Sequence, residues 1–163
     1  MSPKKPDDSE RVLATNRAAR HHFHILETFE AGVALRGTEV KSLRGGKANL
    51  TDAFGAMKGV ELWLHNAHIG PYSHGNLQNH EPLRSRKLLL HKRELRRILG
   101  ATTRQSMTVI PLRIYLRGSH IKVEIALAKG KKLHDKREDE KRRESDREAR
   151  AALSSRRSTR DPR

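Results

Sequence analysis

The chain has 163 residues, of which 34% are hydrophobic and 4% aromatic, enough for one modest domain but too few to bury the whole chain in a core. Its 35 Lys and Arg against 19 Asp and Glu give a formal charge of +16, which favours nucleic acid as the partner over the alternative of a basic protein kept soluble by its charge. The sequence has no cysteine, no signal peptide and no apolar run near the roughly 20 residues of a membrane span. It therefore predicts a cytoplasmic protein that has no disulfides and no membrane partner.

The N-terminal part predicts a flexible leader followed by a strand. Residues 1–15 contain two prolines, several charges and few large apolar side chains, which favours a leader without fixed structure. Apolar residues then recur in steps of two, which is typical of a strand. We expect this strand to break at residues 30–32 and the same period to resume; its apolar positions are Phe23, Ile25, Phe29, Val33 and Leu35.

Residues 37–46 predict a short helix. Thr38 is expected to cap its N-terminus, and Gly45 to end it in the left-handed conformation. Glu39 suits the positive end of the helix dipole and Arg44 the negative end. Val40 and Leu43 would then face the core.

Two further elements follow. Leu62 and Leu64 flank Trp63 in a predicted strand. A second helix is expected from His91 to Leu99, with Gly100 ending it. Leu95, Ile98 and Leu99 form its apolar side, and its opposite side carries Lys92, Arg93, Arg96 and Arg97.

The strongest local pattern lies between residues 109 and 127, where apolar side chains alternate on both sides of the turn at residues 117–120. This pattern predicts a β-hairpin with a short glycine-containing loop. Pro111 cannot donate to a strand ladder, so we expect it at an edge or a bulge. Several short strands and two or three short flanking helices in about 110 residues predict a mainly β protein built as a closed antiparallel barrel.

The last residues differ in composition. From Lys129 to Arg163, fourteen Lys and Arg stand against eight Asp and Glu, a net charge of +6, and Leu153 is the only large aliphatic residue after Leu133. Charges of opposite sign recur four residues apart, which suits a helix that cannot form without a partner. We therefore predict a tail, residues 131–163, that is disordered when free and helical on an anionic surface. A purely solubilising tail is the alternative.

Catalysis has no residue-level support. The histidine groups His21, His22 and His24, and His65 and His68, lack the His-Glu-x-x-His pattern and a nearby carboxylate pair. No phosphate-binding glycine loop is present, and no nucleophile is paired with a base. We expect no enzyme, no metal and no cofactor; a His-dependent metallonuclease is the weaker alternative.

Seven segments, taken together, identify a family. In chain order they are NRAARH (16–21), FEAG (29–32), GTEVKSLR (37–44), GKANL (46–50), RKLLL (86–90), AKGKK (128–132) and HDKR (134–137). The sequence resembles the SsrA-binding proteins, the small protein B family of bacterial trans-translation, over nearly its whole length. The resemblance implies an OB-like barrel over residues 16–130 that binds the tRNA-like domain of transfer-messenger RNA and carries it to stalled ribosomes.

The resemblance also implies site residues. For Glu30, three roles remain open: accepting hydrogen bonds from base donors, positioning a nearby cation, or serving as a buried partner. The RNA-binding positions that the resemblance implies, with the basic residues near them, are Asn16, Arg20, His21, Phe23, Glu30, Arg36, Lys41, Arg44, Leu88, Leu89 and Leu90. The grouping of basic residues along the sequence adds Arg17, Lys92 and Arg96 as candidates. The positions expected in the ribosomal decoding centre and mRNA channel are Gly130, Lys131, Lys132, Asp135, Lys136 and Arg137.

The implied partners are transfer-messenger RNA, the ribosome with its 16S and 23S RNA, and elongation factor Tu with alanyl-tmRNA. The protein itself is expected to be a monomer. The alternative function is that of a generic basic ribosome-associated or single-stranded RNA-binding OB protein, which would bind unrelated RNAs almost equally well.

Overall fold

The computed structural model describes residues 10–158 of the chain. The strands are β1 (Glu10–Thr15), β2 (Phe23–Val33), β3 (Ala48–Asn49), β4 (Phe54–Lys58), β5 (Glu61–His65), β6 (His68–Ile69), β7 (Arg86–Leu89), β8 (Thr108–Arg117) and β9 (His120–Gly130). The helices are α1 (Ala19–His22), α2 (Gly37–Arg44), α3 (Lys92–Arg104) and α4 (Leu133–Ser158), and Asn76–Gln78 form a 3₁₀ turn. The described chain divides after Gly130 into two units.

Seven strands form one antiparallel sheet in the order β1-β8-β4-β5-β7-β2-β9. Strand β9 also pairs with β8. The strands β8, β4, β5, β7, β2 and β9 therefore form a circuit, in which each strand pairs with the next and the last pairs with the first. Strand β1 pairs with β8 outside this circuit, and β3 pairs with β6 in a small separate sheet. The prediction of a mainly β, antiparallel fold with a few short helices is confirmed.

Two apolar clusters lie on opposite faces of the strands, because neighbouring residues of a strand point to opposite sides. The main core includes Phe29, Leu62, Leu64, Ile114 and Ile125, and we call the face that points to it the inner face. A smaller cluster lies on the outer face, beneath α1; its members are Ala19, Ile110, Leu112, Ala126 and Ala128, with Phe23 and Ile25 packed against it.

The predicted break at residues 30–32 is wrong, since β2 runs without interruption from Phe23 to Val33. Its irregularity lies earlier, where the register with β9 shifts between Ile25 and Glu27. The extra residue, Leu26, reverses the alternation, so Ile25 faces the outer cluster whereas Phe29 faces the main core.

The predicted leader is wrong for residues 10–15. Residues 10–15 form β1, which pairs with β8 from Glu10 opposite Arg117 to Thr15 opposite Arg113. The register of this pairing gives the segment a fixed place at the edge of the sheet. The other residues of the predicted leader, 1–9, lie outside the described range.

The predicted hairpin is confirmed. Strands β8 and β9 pair antiparallel up to Arg117 opposite His120, which leaves a loop of Gly118 and Ser119. Gly118 has φ +60°, a conformation that favours glycine. The register shifts between Pro111 and Arg113, so Pro111 lies at a bulge as expected.

Helix α2 lies within the predicted residues 37–46, but its capping residues differ from the prediction. Its N-cap is Arg36, and the hydroxyl of Thr38 instead bonds Nδ1 of the buried His80 at 2.9 Å. Gly45 has φ −78°, and the following Gly46 adopts the left-handed conformation with φ +74°. Leu43 is buried as predicted, whereas Val40 is only half-buried.

Glu39 is buried rather than lying at a solvated helix end. Its carboxylate accepts hydrogen bonds from Nε and Nη2 of Arg84 (2.8 and 2.6 Å), from Nε of Arg86 (2.8 Å) and from the backbone N–H of Arg36 (2.7 Å). Burial opposes its ionisation, but these hydrogen bonds and the charge of Arg86 outweigh it and lower the pKa of Glu39. This buried ion cluster joins α2 to β7.

Helix α3 does not end at Gly100 but continues to Arg104. Ile98 and Ala101, on either side of the glycine, are both buried in the main core. Their packing holds the helix through Gly100, whereas Leu99 is 37% exposed instead of facing the core.

The second unit consists of residues 131–158, in which α4 is a helix of 26 residues. Lys131 forms an ion pair with Asp139, and Arg142 approaches the same carboxylate at 3.7 Å. His134 and Glu138 lie 3.6 Å apart at an i,i+4 spacing. The helical periodicity of the tail charges therefore agrees with the structure, while disorder of the free tail stays a prediction.

Candidate RNA-binding surface

Asn16, an expected RNA contact, is buried and fully engaged. Its Nδ2 donates to the carbonyl of Pro111 (3.1 Å), and its Oδ1 accepts from the backbone N–H of Ala19 (3.1 Å). Its own backbone N–H donates to the carbonyl of Leu112 (2.8 Å). Asn16 thus ties α1 to the bulge in β8, and positions the residues around it rather than presenting its amide to solvent.

The neighbouring candidates do reach the surface. Arg17 and Arg20 are exposed, and His21 is half-buried with its ring edge-on to His22 at 4.9 Å between centroids. Phe23, at the start of β2, is half-buried against the small outer cluster. These four side chains lie together around α1, at one end of the outer face of β2.

At the other end of β2, three strands meet at Gly32. The register sets Gly32 opposite Leu89 of β7 on one side and opposite Lys122 of β9 on the other. A Cβ at Gly32 would lie 3.3 Å from Cβ of Leu89, so the glycine lets this leucine approach closely. Leu89 is 52% exposed and Lys122 half-buried, so an apolar and a cationic side chain flank one glycine on the outer face.

Glu30 lies two residues before Gly32 and faces the same side. It accepts hydrogen bonds from the hydroxyl of Tyr115 and from Nη1 of Arg117 (3.2 Å). The Tyr115 hydrogen bond first, and then the charges of Arg117 and Lys122, lower the pKa of Glu30. Glu30 is therefore not a buried partner; it holds a cation, Arg117, at the surface.

Tyr115 is the centre of this arrangement and is only 2% exposed. The guanidinium of Arg113 lies 4.4 Å from its ring centroid and also bonds Glu124 (2.5 Å) and Glu10 (3.0 Å). Burial, followed by the hydrogen bond to Glu30, raises the pKa of Tyr115, so its hydroxyl stays a donor to the Glu30 carboxylate. We call Glu30, Leu89, Arg117 and Lys122 the outer-face patch.

Along β2, seven residues separate Phe23 from Glu30. At about 3.3 Å per residue and with one bulge, the residues around α1 and the outer-face patch lie about 20 Å apart. Both groups face the same side of the strand. A ligand that contacts both must be an extended one.

The α2 candidates lie on the exposed side of that helix. Arg36 and Arg44 are exposed, and the Nζ of Lys41 lies 5.2 Å from the ring centroid of Tyr72. Lys47 donates to the hydroxyl of Ser73 at 2.9 Å. Tyr72 is therefore part of this basic surface, although its isolated position in the sequence gave no signal for it.

The Leu88–Leu90 candidates differ from one another. Leu88 is buried in the main core, so it supports the sheet and is not a surface contact; only Leu89 and the half-buried Leu90 reach solvent. Lys92 and Arg96 are exposed on α3 and border an apolar groove of about 460 Å³ with Leu89 and Leu90.

The candidates for the decoding centre lie in the sequence on both sides of the boundary after Gly130. Gly130 ends β9 in the first unit, and the others belong to the second. The carboxylate of Asp135 accepts from the backbone N–H of Lys132 (3.3 Å), which caps the start of α4. Lys132, Asp135 and Lys136 lie in the first part of the unit together with Lys131 and Arg137.

The described residues show neither a metal site nor a membrane-spanning helix. Within residues 10–158, no group of three His, Asp or Glu side chains is arranged to hold a metal ion. His65, which the sequence groups with His68, forms a hydrogen bond between its Nδ1 and the hydroxyl of Ser85 (2.7 Å). No helix in the described part of the chain is long and apolar enough to cross a membrane.

Sequence reasoning missed Arg113, Tyr115, Arg117 and Lys122. The signal was present, because the alternation of residues 113–125, beyond the bulge in β8, assigns these residues to the face opposite Ile114, Val123 and Ile125. It was incomplete, because alternation does not tell which strand lies next to the hairpin.

The comparisons with known proteins agree with one another. The family model described as SmpB protein matches residues 13–155. The SsrA-binding protein of Carboxydothermus hydrogenoformans is 52% identical over 147 residues, which is 90% of this chain and 99% of the relative. That of Desulforudis audaxviator is 56% identical over 146 residues, 89% of this chain and 95% of the relative.

A solved structure is also similar. It is described as "tmRNA-SmpB: a journey to the center of the bacterial ribosome". The similar chain has 52% sequence identity and a TM-score of 0.62, and the match covers 73% of this chain and 84% of that one.

Proposed function

The chain belongs to the SmpB protein family, and on that premise we propose that it binds the tRNA-like domain of transfer-messenger RNA (SsrA) and delivers it to stalled ribosomes for trans-translation. The relatives are named SsrA-binding proteins, and the similar solved structure is described by tmRNA-SmpB and the bacterial ribosome. The activity is binding and delivery, without a chemical step of its own.

The observation that carries the proposal is that residues from separate segments share one face. Glu30 of β2, Leu89 of β7 and the cations Arg117 and Lys122 of the hairpin all lie on the outer face. Cations next to an apolar side chain suit an RNA whose phosphates and unstacked bases are contacted together. Arg17, Arg20 and His21 extend this surface to the other end of β2.

In this proposal Glu30 has both an indirect and a direct role. Its carboxylate holds Arg117 and the Tyr115 hydroxyl, and its remaining acceptor capacity is available to a base N–H donor. Two of the roles left open by the sequence are thereby combined in one side chain. Asn16 acts only indirectly, through the position of α1.

We assign the strand circuit β8-β4-β5-β7-β2-β9 to the OB-like closed barrel expected of the family. The cations of α2, Arg36, Lys41 and Arg44, would contact RNA beside Tyr72, whose ring offers a stacking surface. Lys92 and Arg96 would add phosphate contacts on α3.

The second unit is assigned to the ribosome. A helix of 26 residues is about 39 Å long, and its exposed charges of both signs suit a channel lined by RNA. Lys131, Lys132, Asp135, Lys136 and Arg137 would enter the decoding centre, followed by the rest of the helix in the empty mRNA channel. Elongation factor Tu with alanyl-tmRNA would join this complex, which would act in the cytoplasm with a monomer of the protein.

The decisive test is a competition between RNAs. Labelled tRNA-like domain is bound to the protein at physiological salt and displaced with unlabelled tRNA-like domain or with an ordinary tRNA. We expect a strong preference for the tRNA-like domain. Equal affinities would refute the proposal in favour of a generic basic RNA-binding protein.

A matched pair of variants locates the contact. Lys122→Gln removes a cation of the outer-face patch, and Lys58→Gln removes an exposed cation outside it. We expect the first to weaken binding and to reduce the salt slope by at most about 0.7, the value for one single-stranded phosphate contact. Equal effects of the two substitutions would contradict this location.

A further inference from the structure

One stretch of the chain lacks the positive charge of the rest. Residues 48–83 contain a single lysine, Lys58, and no arginine, although the whole chain has 35 Lys and Arg. Against this lysine stand the three acids Asp52, Glu61 and Glu81, so the stretch has a net charge of −2 in a chain of +16. Such a stretch is poorly suited to bind phosphates, which are attracted by Lys and Arg.

The fold brings part of this stretch together in one face. Phe54, at the start of β4, pairs with His65 of β5, and their rings are stacked with centroids 5.3 Å apart. The lysine of the stretch lies four residues further along β4, about 13 Å from Phe54 at the other end of the hairpin. We use the term cation-free face for Asp52, Phe54, His65, Asn66, His68 and Leu83.

A cleft of about 380 Å³ lies in the cation-free face. Its lining consists of Asn49, Asp52, Asn66, His68 and Leu83. The stacked rings are next to it, since His65 directly precedes Asn66 and Phe54 follows Asp52 by two residues. Leu83 is 51% exposed and Phe54 41% exposed. Exposed aromatic and apolar side chains without lysine are typical of a surface that binds another protein.

The carboxylate of Asp52 is held in place but has no partner in the described fold. It makes no side-chain hydrogen bond or ion pair with another residue between 10 and 158. Its turn is ordered by the side chain of Asn49, which accepts from the backbone N–H and the hydroxyl of Thr51 (2.8 and 2.7 Å). Leu50 and Ala53, on either side, are buried in the main core. The carboxylate is therefore preorganised for a ligand.

The chemistry of the cleft favours an arginine side chain. A guanidinium can donate to both oxygens of the Asp52 carboxylate and can stack on an aromatic ring such as that of Phe54. A lysine ammonium would pair with the carboxylate without matching its two oxygens. A phosphate would be repelled by Asp52 and would find no Lys or Arg among the lining residues. The occupant is therefore a segment of a protein and not RNA.

Charge also indicates which protein supplies the arginine. A protein that is held in ribosomal RNA carries many Lys and Arg, because these neutralise phosphates. Such a protein repels another cationic protein wherever their positive charges face each other. The cation-free face is a part of this chain that can approach a protein of that kind without this repulsion.

We propose that the cation-free face docks on a protein of the ribosome, and that an arginine of this protein enters the cleft. Its guanidinium pairs with Asp52 and stacks beside Phe54 and His65, while an apolar neighbour of the arginine covers Leu83. The proposal rests on the proposed function, since that function places the chain on the ribosome. It adds a protein contact to the RNA contacts assigned there.

The first experiment identifies the partner by photo-crosslinking. A benzophenone amino acid, which is apolar like leucine, replaces Leu83 in the full-length protein, and a control carries it at the exposed position 58. Each protein is bound with transfer-messenger RNA to ribosomes that have a vacant mRNA path. We expect position 83 to crosslink a ribosomal protein near an arginine, more strongly than position 58 does. Crosslinks from position 83 to RNA alone or to elongation factor Tu, or no excess over position 58, would overturn the proposal.

The second experiment measures the contact with Asp52→Asn, which keeps the shape of the side chain and removes its charge. The matched control is Glu61→Gln, which removes a carboxylate at the other end of the same hairpin. Asp52→Asn should weaken ribosome binding about tenfold, the effect of losing a hydrogen bond between charged groups. Both variants should keep the wild-type affinity for the tRNA-like domain. Equal ribosome affinities of the two variants would overturn the proposal.

A charge exchange then tests the arginine itself. Asp52→Arg should weaken ribosome binding more than Asp52→Asn does, because two like charges would meet in the cleft. Ribosomes in which the crosslinked arginine is replaced by aspartate should recover binding of Asp52→Arg, and a failure to recover would contradict the assigned pair.

Failure of this proposal can be told apart from failure of the proposed function. A wild-type protein that shows no preference for the tRNA-like domain refutes the proposed function, while crosslinking of the protein alone on ribosomes still decides the docking face. A wild-type protein that does not bind ribosomes refutes both.

Discussion

Replacing Glu39 by glutamine tests the buried ion cluster that joins α2 to the sheet. The substitution keeps the shape of the side chain but removes its charge and one acceptor oxygen. Arg86 is 0% exposed, and its Nη groups donate to the carbonyls of Ala67 (2.7 Å), Pro82 (3.1 Å) and Arg84 (3.0 Å). Its guanidinium would therefore stay buried after losing the carboxylate that neutralises it.

The expected cost follows from that geometry. The charge of Arg86 is held away from water, and this burial lowers the pKa of its guanidinium. Removing one partner of a buried ion pair typically costs roughly 3–5 kcal/mol, out of a total stability of about 5–15 kcal/mol for a domain. With a urea m-value of about 2 kcal/mol/M, the unfolding midpoint of Glu39→Gln should fall by about 2 M.

The assay is urea unfolding followed by circular dichroism and tryptophan fluorescence. The matched control is Glu61→Gln, since Glu61 pairs with Lys87 at the surface and should leave the midpoint nearly unchanged. In a double-mutant cycle with Arg86→Met, the double variant should lose less than the sum of the single losses, by about 0.5–3 kcal/mol. Equal midpoints for Glu39→Gln and Glu61→Gln would show that the cluster does not hold α2 in place.

Three further predictions concern other parts of the molecule. In Tyr115→Phe, the pKa of Glu30 should rise towards the ordinary value near 4.3, because the hydrogen bond that lowers it most is lost. The wild-type contribution of Glu30 to stability is present above that ordinary value and is lost as the pH falls through the lowered pKa, so the variant should lose less in acid; an unchanged carboxyl titration by NMR would contradict this. Gly55→Ala should destabilise the protein by about 1–3 kcal/mol, since its Cβ would lie 2.7 Å from a valine methyl carbon, whereas Gly100→Ala should stabilise it by up to about 1 kcal/mol; chemical unfolding compares the two. Removing the residues after Gly130 should leave binding of the tRNA-like domain nearly intact and abolish peptide tagging in a translation assay, and a hundredfold loss of binding would show that the two units do not divide the work in this way.

Local pattern was sufficient for some elements of the fold. The hairpin of residues 108–130, with Pro111 at a bulge, follows from strict alternation and from the chemistry of proline. A short helix within residues 37–46 was likewise predicted from local sequence, although both of its caps differ. These features depend on neighbours in the sequence, which a single chain displays directly.

Features that depend on distant partners were misjudged or missed. Glu39 looked like a solvated helix-end residue because its partners Arg84 and Arg86 lie 45 and 47 residues away. The bulge at Leu26 reversed the faces of β2, which a regular period of two cannot represent. For the candidate site, Glu30 was found but its partner Tyr115 was not, since their contact spans 85 residues.

The pairing of the first strand with the eighth has a consequence for synthesis of the protein. Glu10 and Arg113, which share an ion pair, are separated by 103 residues, and β2 needs β9 to complete its pairing. Such non-local contacts form slowly and only after most of the chain exists. A polypeptide released early from a broken message would therefore lack the surface assembled by β2, β7 and β9, so unfinished copies of this protein would not compete with complete ones for its RNA.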